Sequence, residues 1–244
     1  MITFLASTVL FLLLHALVER RGARADIAFH YSLRLSRGLV SVLLVGIGFS
    51  SLAAYFHMWP RAFLAGHETG SLPWHLVMVI CGHLASDLVW LAWGYWMRDS
   101  KPRMDLIVHH LVGAGACGAA LYWEIGYLLV AIGMTTELMP VATGLGTWGK
   151  VKDSLEIERF AVGFSITALL LWRMPFWIYA LVLFGGGWVT ARVPDVPSAV
   201  IPIALAVAGA LVVMDAYWTR QLWGSYRELV EEHRRRRLPL SGLD

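Results

Sequence analysis

Charge is what this sequence has least of. Asp, Glu, Lys and Arg make up 15% of its 244 residues, against about 25% in an ordinary soluble domain. With 58% hydrophobic residues and a mean hydropathy of +0.62, that scarcity excludes one soluble core and points to a single polytopic membrane domain. Cysteine is nearly absent as well. Cys81 and Cys117 both lie inside apolar runs, which excludes a disulfide framework and leaves the compartment unread. There is no internal repeat and no low-complexity linker. The first apolar run has no basic residue ahead of it and no small-residue cleavage site behind it. It therefore reads as a first membrane helix, not a signal peptide. The basic balance, with a pI near 9.0, does not imply nucleic acid. The basic residues sit beside apolar segments, where membrane orientation and anionic headgroups account for them.

What is present is a series of seven apolar segments, at about 2–18, 38–58, 74–96, 104–123, 127–148, 160–183 and 199–223. Each reaches the roughly 20 residues needed to cross about 30 Å of hydrocarbon. The division is a first helix with a basic linker over 1–37, a six-helix membrane domain over 38–224, and a basic tail over 225–244. Residues 27–36 of the linker are expected to form an amphipathic interfacial helix. Trp59 and Pro60 end the second segment, and Trp123 to Gly126 make a tight turn after the fourth. Trp90, Trp93 and Trp96 read as an interfacial and packing stripe. Gly113, Gly115 and Gly118 read as a site of close helix approach, and the Arg234–Arg237 run as a headgroup signal. Seven crossings put the termini on opposite sides. Of the 20 Lys and Arg, 17 fall on one side, Arg61 and Arg192 on the other, and Arg173 within the membrane. The positive-inside rule then makes the C-terminus cytoplasmic and the N-terminus external. The excess of Arg over Lys and the absence of an ER-retrieval tail favour a bacterial inner membrane, or the ER membrane in a eukaryote.

Ionisable groups inside apolar runs cost roughly 2.5–3.5 kcal/mol each on insertion scales, so they mark partners or cavities. His109 and His110 lie roughly 8–9 Å above the cytoplasmic start of the fourth segment at 1.5 Å per residue. Asp87, Glu137, Arg173 and Asp215 fall between the cytoplasmic surface and the midplane on four other segments. A shared depth on five segments implies a polar cavity open to the cytoplasm. The bland readings are specific too. His109 and His110 are interfacial histidines in one such reading. His83 and Asp87, four apart on one helix face, read as a structural hydrogen-bonded pair. Asp105 caps its helix or orients the His109 ring. Pro140 removes a backbone donor and frees the carbonyl of Thr136, so a carboxylate, a carbonyl and two threonine hydroxyls crowd the turn at Glu137. Arg173, with Pro175 just after it, needs a carboxylate or phosphate. Either it is salt-bridged to Glu137 or Asp215, or it binds substrate.

An aspartate, three residues and a His-His pair opening one membrane helix, an acidic residue buried in the next, and Arg173-x-Pro175 on the one after resemble the TLC-domain family. Ceramide synthases and translocating-chain-associated membrane proteins belong to it. The resemblance spans about 38–224. It implies helices around a deep cavity entered from the cytoplasm. By it, His109 and His110 match the paired histidines required for acyl transfer from acyl-CoA to a sphingoid amine. Glu137 matches the second acidic position of the synthase motif, and Met134 stands at the first. The Glu137-Leu-x-Pro140 stretch resembles the non-synthase branch.

Three functions follow as expectations. The first is a membrane acyltransferase moving a fatty acyl group from acyl-CoA, as co-substrate, to a lipid amine or hydroxyl. His109 and His110 would serve as base or nucleophile, with Asp105 or Glu137 as the partner that holds the tautomer. Arg173, Asp215, Asp87, His83 and Asp105 would bind or orient substrate. No bound cofactor or metal is expected, and the partners are membrane lipids and acyl-CoA. The second is a lipid sensor, carrier or chaperone, which needs the same Arg and Glu but no nucleophile. The third is a metal-dependent lipid hydrolase drawing ligands from His83, Asp87, His109, His110, Glu137 and Asp215, although the clustered histidine boxes of membrane di-iron oxygenases are missing.

Overall fold

In the computed structural model the residues described are 1–58, 68–187, 189 and 196–237, and every regular element among them is a helix. The order is α1 (Ile2–Arg24), α2 (Phe29–Tyr55), α3 (Leu72–Met97), α4 (Met104–Trp123), α5 (Tyr127–Gly133), α6 (Leu138–Val151), α7 (Leu155–Ala168), α8 (Met174–Gly185) and α9 (Val200–Arg237). A tight 3₁₀ turn, Met134–Glu137, joins α5 to α6, and a wide π turn, Leu169–Arg173, joins α7 to α8. The joined pairs count as single crossings, so seven helices are long and apolar enough to span a membrane. The protein is an all-α, multi-pass integral membrane protein. Helices are the required solution because hydrocarbon offers no partner to an unpaired backbone group.

The crossings make a ring. α2 packs on the α5–α6 crossing, that crossing on α7, α7 and α8 on α9, α9 on α4, and α4 on α3. α1 lies outside, against α2 and α3. Its outer face exposes Leu5, Val9, Leu10, Leu13 and Leu17, whereas Ser7, Phe11, His15 and Gly22 turn inward. That is the arrangement a lipid solvent favours, with the apolar face outward and small or polar groups at the helix contacts.

Several expectations change. No separate interfacial helix forms over 27–36. Those residues are the last turn before α2 and its first turns, and the boundary at 37/38 falls inside α2. The reason is that Arg37 has a buried partner within the bundle. The seventh crossing continues unbroken to Arg237, so the boundary at 224/225 also lies within a helix. Its last turns carry an Arg236–Glu232 pair at i, i+4. The Trp59-Pro60 stop, Arg61, Arg192 and residues 238–244 lie outside the described residues. The turn at Glu124 and Gly126 forms as expected, with φ of 53° and 74°. Of the tryptophans, Trp93 and Trp96 are exposed while Trp90 stacks on His15 at 5.6 Å.

Close approach does not occur at Gly115 or Gly118, where an added Cβ would meet nothing within 4 Å, and at Gly113 it would meet only a leucine side chain. It occurs at Gly48, where a Cβ would fall 2.7 Å from the Thr135 backbone nitrogen. It occurs again where Gly38 of α2 meets Gly144 of α6. Gly48 thus lets α2 lie directly on the turn that carries Glu137. We expect Gly48→Ala to cost about 1–3 kcal/mol through overpacking, and Gly115→Ala to stay within about 0.5 kcal/mol of wild type. Thermal unfolding in nanodiscs checks both. Equal midpoints would contradict the close contact.

Candidate functional site

Two local features of the sequence shape the site. Pro140 has no N–H to offer the Thr136 carbonyl, and the chain winds as a 3₁₀ turn over Met134–Glu137 just before it. The released Thr136 carbonyl accepts from Arg173 Nη1 at 3.3 Å. This is the free carbonyl expected from the sequence, now with its partner. Pro175 has the same effect on the sixth crossing. The turn before it widens into π winding, a form that recurs at functional sites, and Arg173 is its last residue.

Around Arg173 lies the first of two buried polar clusters. Arg173 Nε donates to Asp215 Oδ1 at 2.8 Å, so the ion pair with Asp215 is the arrangement present. Arg173 Nη2 reaches His109 Nδ1 at 3.4 Å, and the guanidinium sits 5.3 Å over the Trp218 ring. Guanidinium has no acceptor, so His109 Nδ1 accepts in that contact and Nε2 carries the ring proton. Nε2 faces Glu137 Oε1 at 3.9 Å, and His83 Nε2 faces Glu137 Oε2 at 3.9 Å. Both distances exceed a direct hydrogen bond and leave Glu137 an open acceptor. Asp105 does not cap α4 or touch His109. It takes two bonds from Arg103 and one from Trp218 Nε1 at 3.1 Å. Donating to Asp105 holds the Arg103 guanidinium above its ordinary pKa. Trp218 packs on His109 with ring centroids 5.4 Å apart, so Asp105 acts on the imidazole through that indole.

The second cluster centres on Asp87. Its Oδ2 accepts from Arg37 Nε at 2.5 Å and faces His110 Nε2 at 2.8 Å. Its Oδ1 lies 3.1 Å from His15 Nε2. The expected His83–Asp87 hydrogen bond is not made. Both ring nitrogens of His83 are buried with no hydrogen-bond partner, because Asp87 turns across the helix interface to Arg37 and His110. His110 spends its other nitrogen on the Leu106 carbonyl at 2.7 Å. The paired histidines therefore separate. His110 is 1% exposed with both nitrogens engaged, while His109 faces open space.

That space has two parts. A vestibule of about 1310 Å³ opens at the end of the ring that carries the α3–α4 and α6–α7 turns. Arg34, Lys101, Arg103 and Lys150 line it, and it reaches inward to His109, Glu137 and Arg173. On the far side an apolar slot of about 160 Å³ runs between Leu84, Cys117, Trp177, Phe184 and Leu211. His109 and Glu137 line both.

The sequence reading missed three members of this arrangement. His15 is a lone ionisable residue in the first apolar run, a signal that was there to be used. Arg37 sits at the edge of an apolar run and was counted with the basic linker. Trp218 carries no signal beyond hydrophobicity. No protein-family model, curated protein or solved structure matches the chain.

Proposed function

We propose that this protein is a membrane acyltransferase, of the kind the TLC-domain resemblance implies, working at His109 and Glu137. The observation that carries the reading is the position of these two side chains where a large vestibule meets an apolar slot; the vestibule is lined by Arg34, Lys101, Arg103 and Lys150 and, towards its rim, by Asp99, Glu158, Glu228 and Glu232. An acyl thioester has that division built in: a polyanionic nucleotide carrier, a reacting carbonyl and an apolar tail. The vestibule exceeds the roughly 300–1,000 Å³ of ordinary small-ligand pockets and suits a nucleotide-sized group. Arg34, Lys101 and Lys150 supply positive potential for phosphates. The slot is close in volume to the roughly 150 Å³ apolar cavity that takes up one benzene. It seats the part of the chain next to the carbonyl. By the distribution of basic residues the vestibule opens to the cytoplasm.

The residues divide the work as follows. Glu137 holds the Nε2–H tautomer of His109 and stabilises the imidazolium that forms. The 3.9 Å between them closes, or is bridged by water, when substrate enters. His109 Nδ1 takes the proton of the acceptor amine or hydroxyl, whose lone pair forms the new bond to the acyl carbon. The C–S bond breaks, and the leaving thiolate takes the proton back from Nδ1. The Arg173 contact at 3.4 Å is weak enough for the acceptor to displace, and leaves the guanidinium beside the carbonyl oxygen as negative charge develops there. His110 has no such role, since its nitrogens face the Leu106 carbonyl and Asp87 and it lines neither cavity.

The test is thiol release from long-chain acyl-CoA by the protein in nanodiscs, with intact mass measured alongside. Release that persists in His110→Ala, if that variant folds, but vanishes in His109→Ala supports the reading. No release and no acyl adduct from folded protein, over several chain lengths, would replace it with the lipid-carrier reading.

A further inference from the structure

The Asp87 cluster contains more acceptors than donors. The Leu106 carbonyl can only accept, so His110 Nδ1 donates to it, and His110 Nε2 then presents a lone pair. Ser36 Oγ gives its single proton to the Leu33 carbonyl at 2.9 Å. It therefore accepts from His15 Nδ1 at 2.6 Å, and His15 Nε2 also presents a lone pair. Both lone pairs aim at the same carboxylate, Nε2 of His110 at Oδ2 and Nε2 of His15 at Oδ1. His83 adds two partnerless ring nitrogens from 1% exposure, and Asp87 Oδ1 has no hydrogen-bond donor. The cation beside this carboxylate, Arg37, reaches Oδ2 alone and donates to neither imidazole.

From this convergence we propose that the cluster is a metal site, holding one divalent cation of the zinc class with His15, His83, Asp87 and His110 as its ligands. Ligand atoms of His83, Asp87 and His110 already lie within 4.8 Å of one another. Even if all three pairs were at that limit, each atom would sit about 2.8 Å from the centre of the triangle, against Zn–N bonds of about 2.0–2.1 Å. Drawing these three in takes less than about an ångström per side chain; His15 stands outside that group, with Nε2 3.1 Å from Asp87 Oδ1. Three imidazole nitrogens and one carboxylate oxygen form a set that zinc and other first-row divalent ions accept.

The outer contacts fit a metal site as well. Ligating histidines fix their tautomer by donating the other ring N–H to a carbonyl or hydroxyl, as His110 and His15 do, and ligating carboxylates are themselves hydrogen-bonded, as Asp87 is by Arg37. Protons on His15 and His110 would supply the same total charge as the ion. They would still leave both His83 nitrogens without a hydrogen bond, Glu137 being 3.9 Å away, whereas the ion engages one of them. Neither cavity is lined by His15, His83, Asp87 or His110. A four-ligand site closed to both is structural. It ties α1, α3 and α4 together, with α2 attached through Arg37, and fixes His110 beside His109. The proposal is independent of acyl transfer and departs from the expectation of a chain without metal.

The test uses the full chain without a polyhistidine tag, in nanodiscs, with zinc and iron measured by mass spectrometry. We expect about one equivalent in wild type and at least a tenfold weaker hold in His83→Ala. His83 makes no other hydrogen bond, so it is the ligand least needed for folding. Cobalt exchanged into the wild type should give visible ligand-field bands, and this arm needs no variant to fold. Metal below about a tenth of an equivalent, both as purified and after incubation with zinc, ferrous iron or cobalt, would overturn the proposal. So would cobalt without visible bands. Because no arm measures turnover, this result stands or falls apart from the acyltransferase reading.

Discussion

Asp87→Ala is expected to leave little folded protein. The carboxylate is completely buried and is, among the described residues, the acid paired with Arg37. Removing one partner of a buried ion pair costs about 3–5 kcal/mol, because the other charge is left unpaired; Arg37 is buried at the edge of the vestibule. Net stabilities of folded domains are only about 5–15 kcal/mol. The loss here falls on a group that also faces His110 and His15. Asp87→Asn should cost less, since the amide oxygen still accepts from Arg37 while the charge term is lost. The decisive variant is the double replacement Arg37→Met with Asp87→Leu. Removing both charges avoids the stranded guanidinium, and similar swaps of buried pairs are often neutral or better. We therefore expect the double variant to recover the part of the folded yield that the stranded guanidinium costs Asp87→Ala, and not the part that the proposed metal would supply. Size-exclusion profiles and thermal midpoints in one detergent measure this. A loss below about 1 kcal/mol for Asp87→Ala would contradict a dry, charged centre at this position.

The second large effect is on turnover. His109→Ala is expected to lower the acyl-transfer rate by about 10²–10⁴, the range attributed to a positioned general base. Glu137→Gln keeps the shape of the side chain and removes the charge that stabilises the imidazolium. It should fall in the same range through kcat, with KM little changed. Arg173→Lys should behave differently. A lysine cannot serve Asp215, Thr136 and His109 at once, so this variant should lose stability together with rate. His109 packs on the Trp218 face but anchors no ion pair at bonding distance. Its removal should leave the thermal midpoint within a few degrees of wild type, about 1 kcal/mol for a chain of this size. A His109→Ala variant that is folded and fully active would exclude this ring as the base.

The freed Thr136 carbonyl follows from covalent chemistry, since proline has no N–H four residues on. Only its acceptance from Arg173 needed the fold. His83 and Asp87 share a helix face by periodicity, and that much is correct. Whether they bond depends on which neighbour offers Asp87 a better donor, and α2 offers Arg37. Gly113, Gly115 and Gly118 fail for the same reason. Small residues permit close approach, but only the neighbouring helix decides where it happens, and here it happens at Gly38, Gly48 and Gly144.

By itself, then, the sequence determined the solvent and the number of crossings. Those depend on hydropathy, on the 1.5 Å rise per residue and on the cost of charge in hydrocarbon, all local properties. Only the tertiary structure decided the pairing of Arg37 with Asp87 and Arg173 with Asp215. It also split the two adjacent histidines, turning His110 into a packed cluster and His109 towards the two cavities. The physical reason is rotational. Adjacent side chains diverge by about 100° on a helix, and the rotation of α4 is set by the side chains that its neighbours present to it.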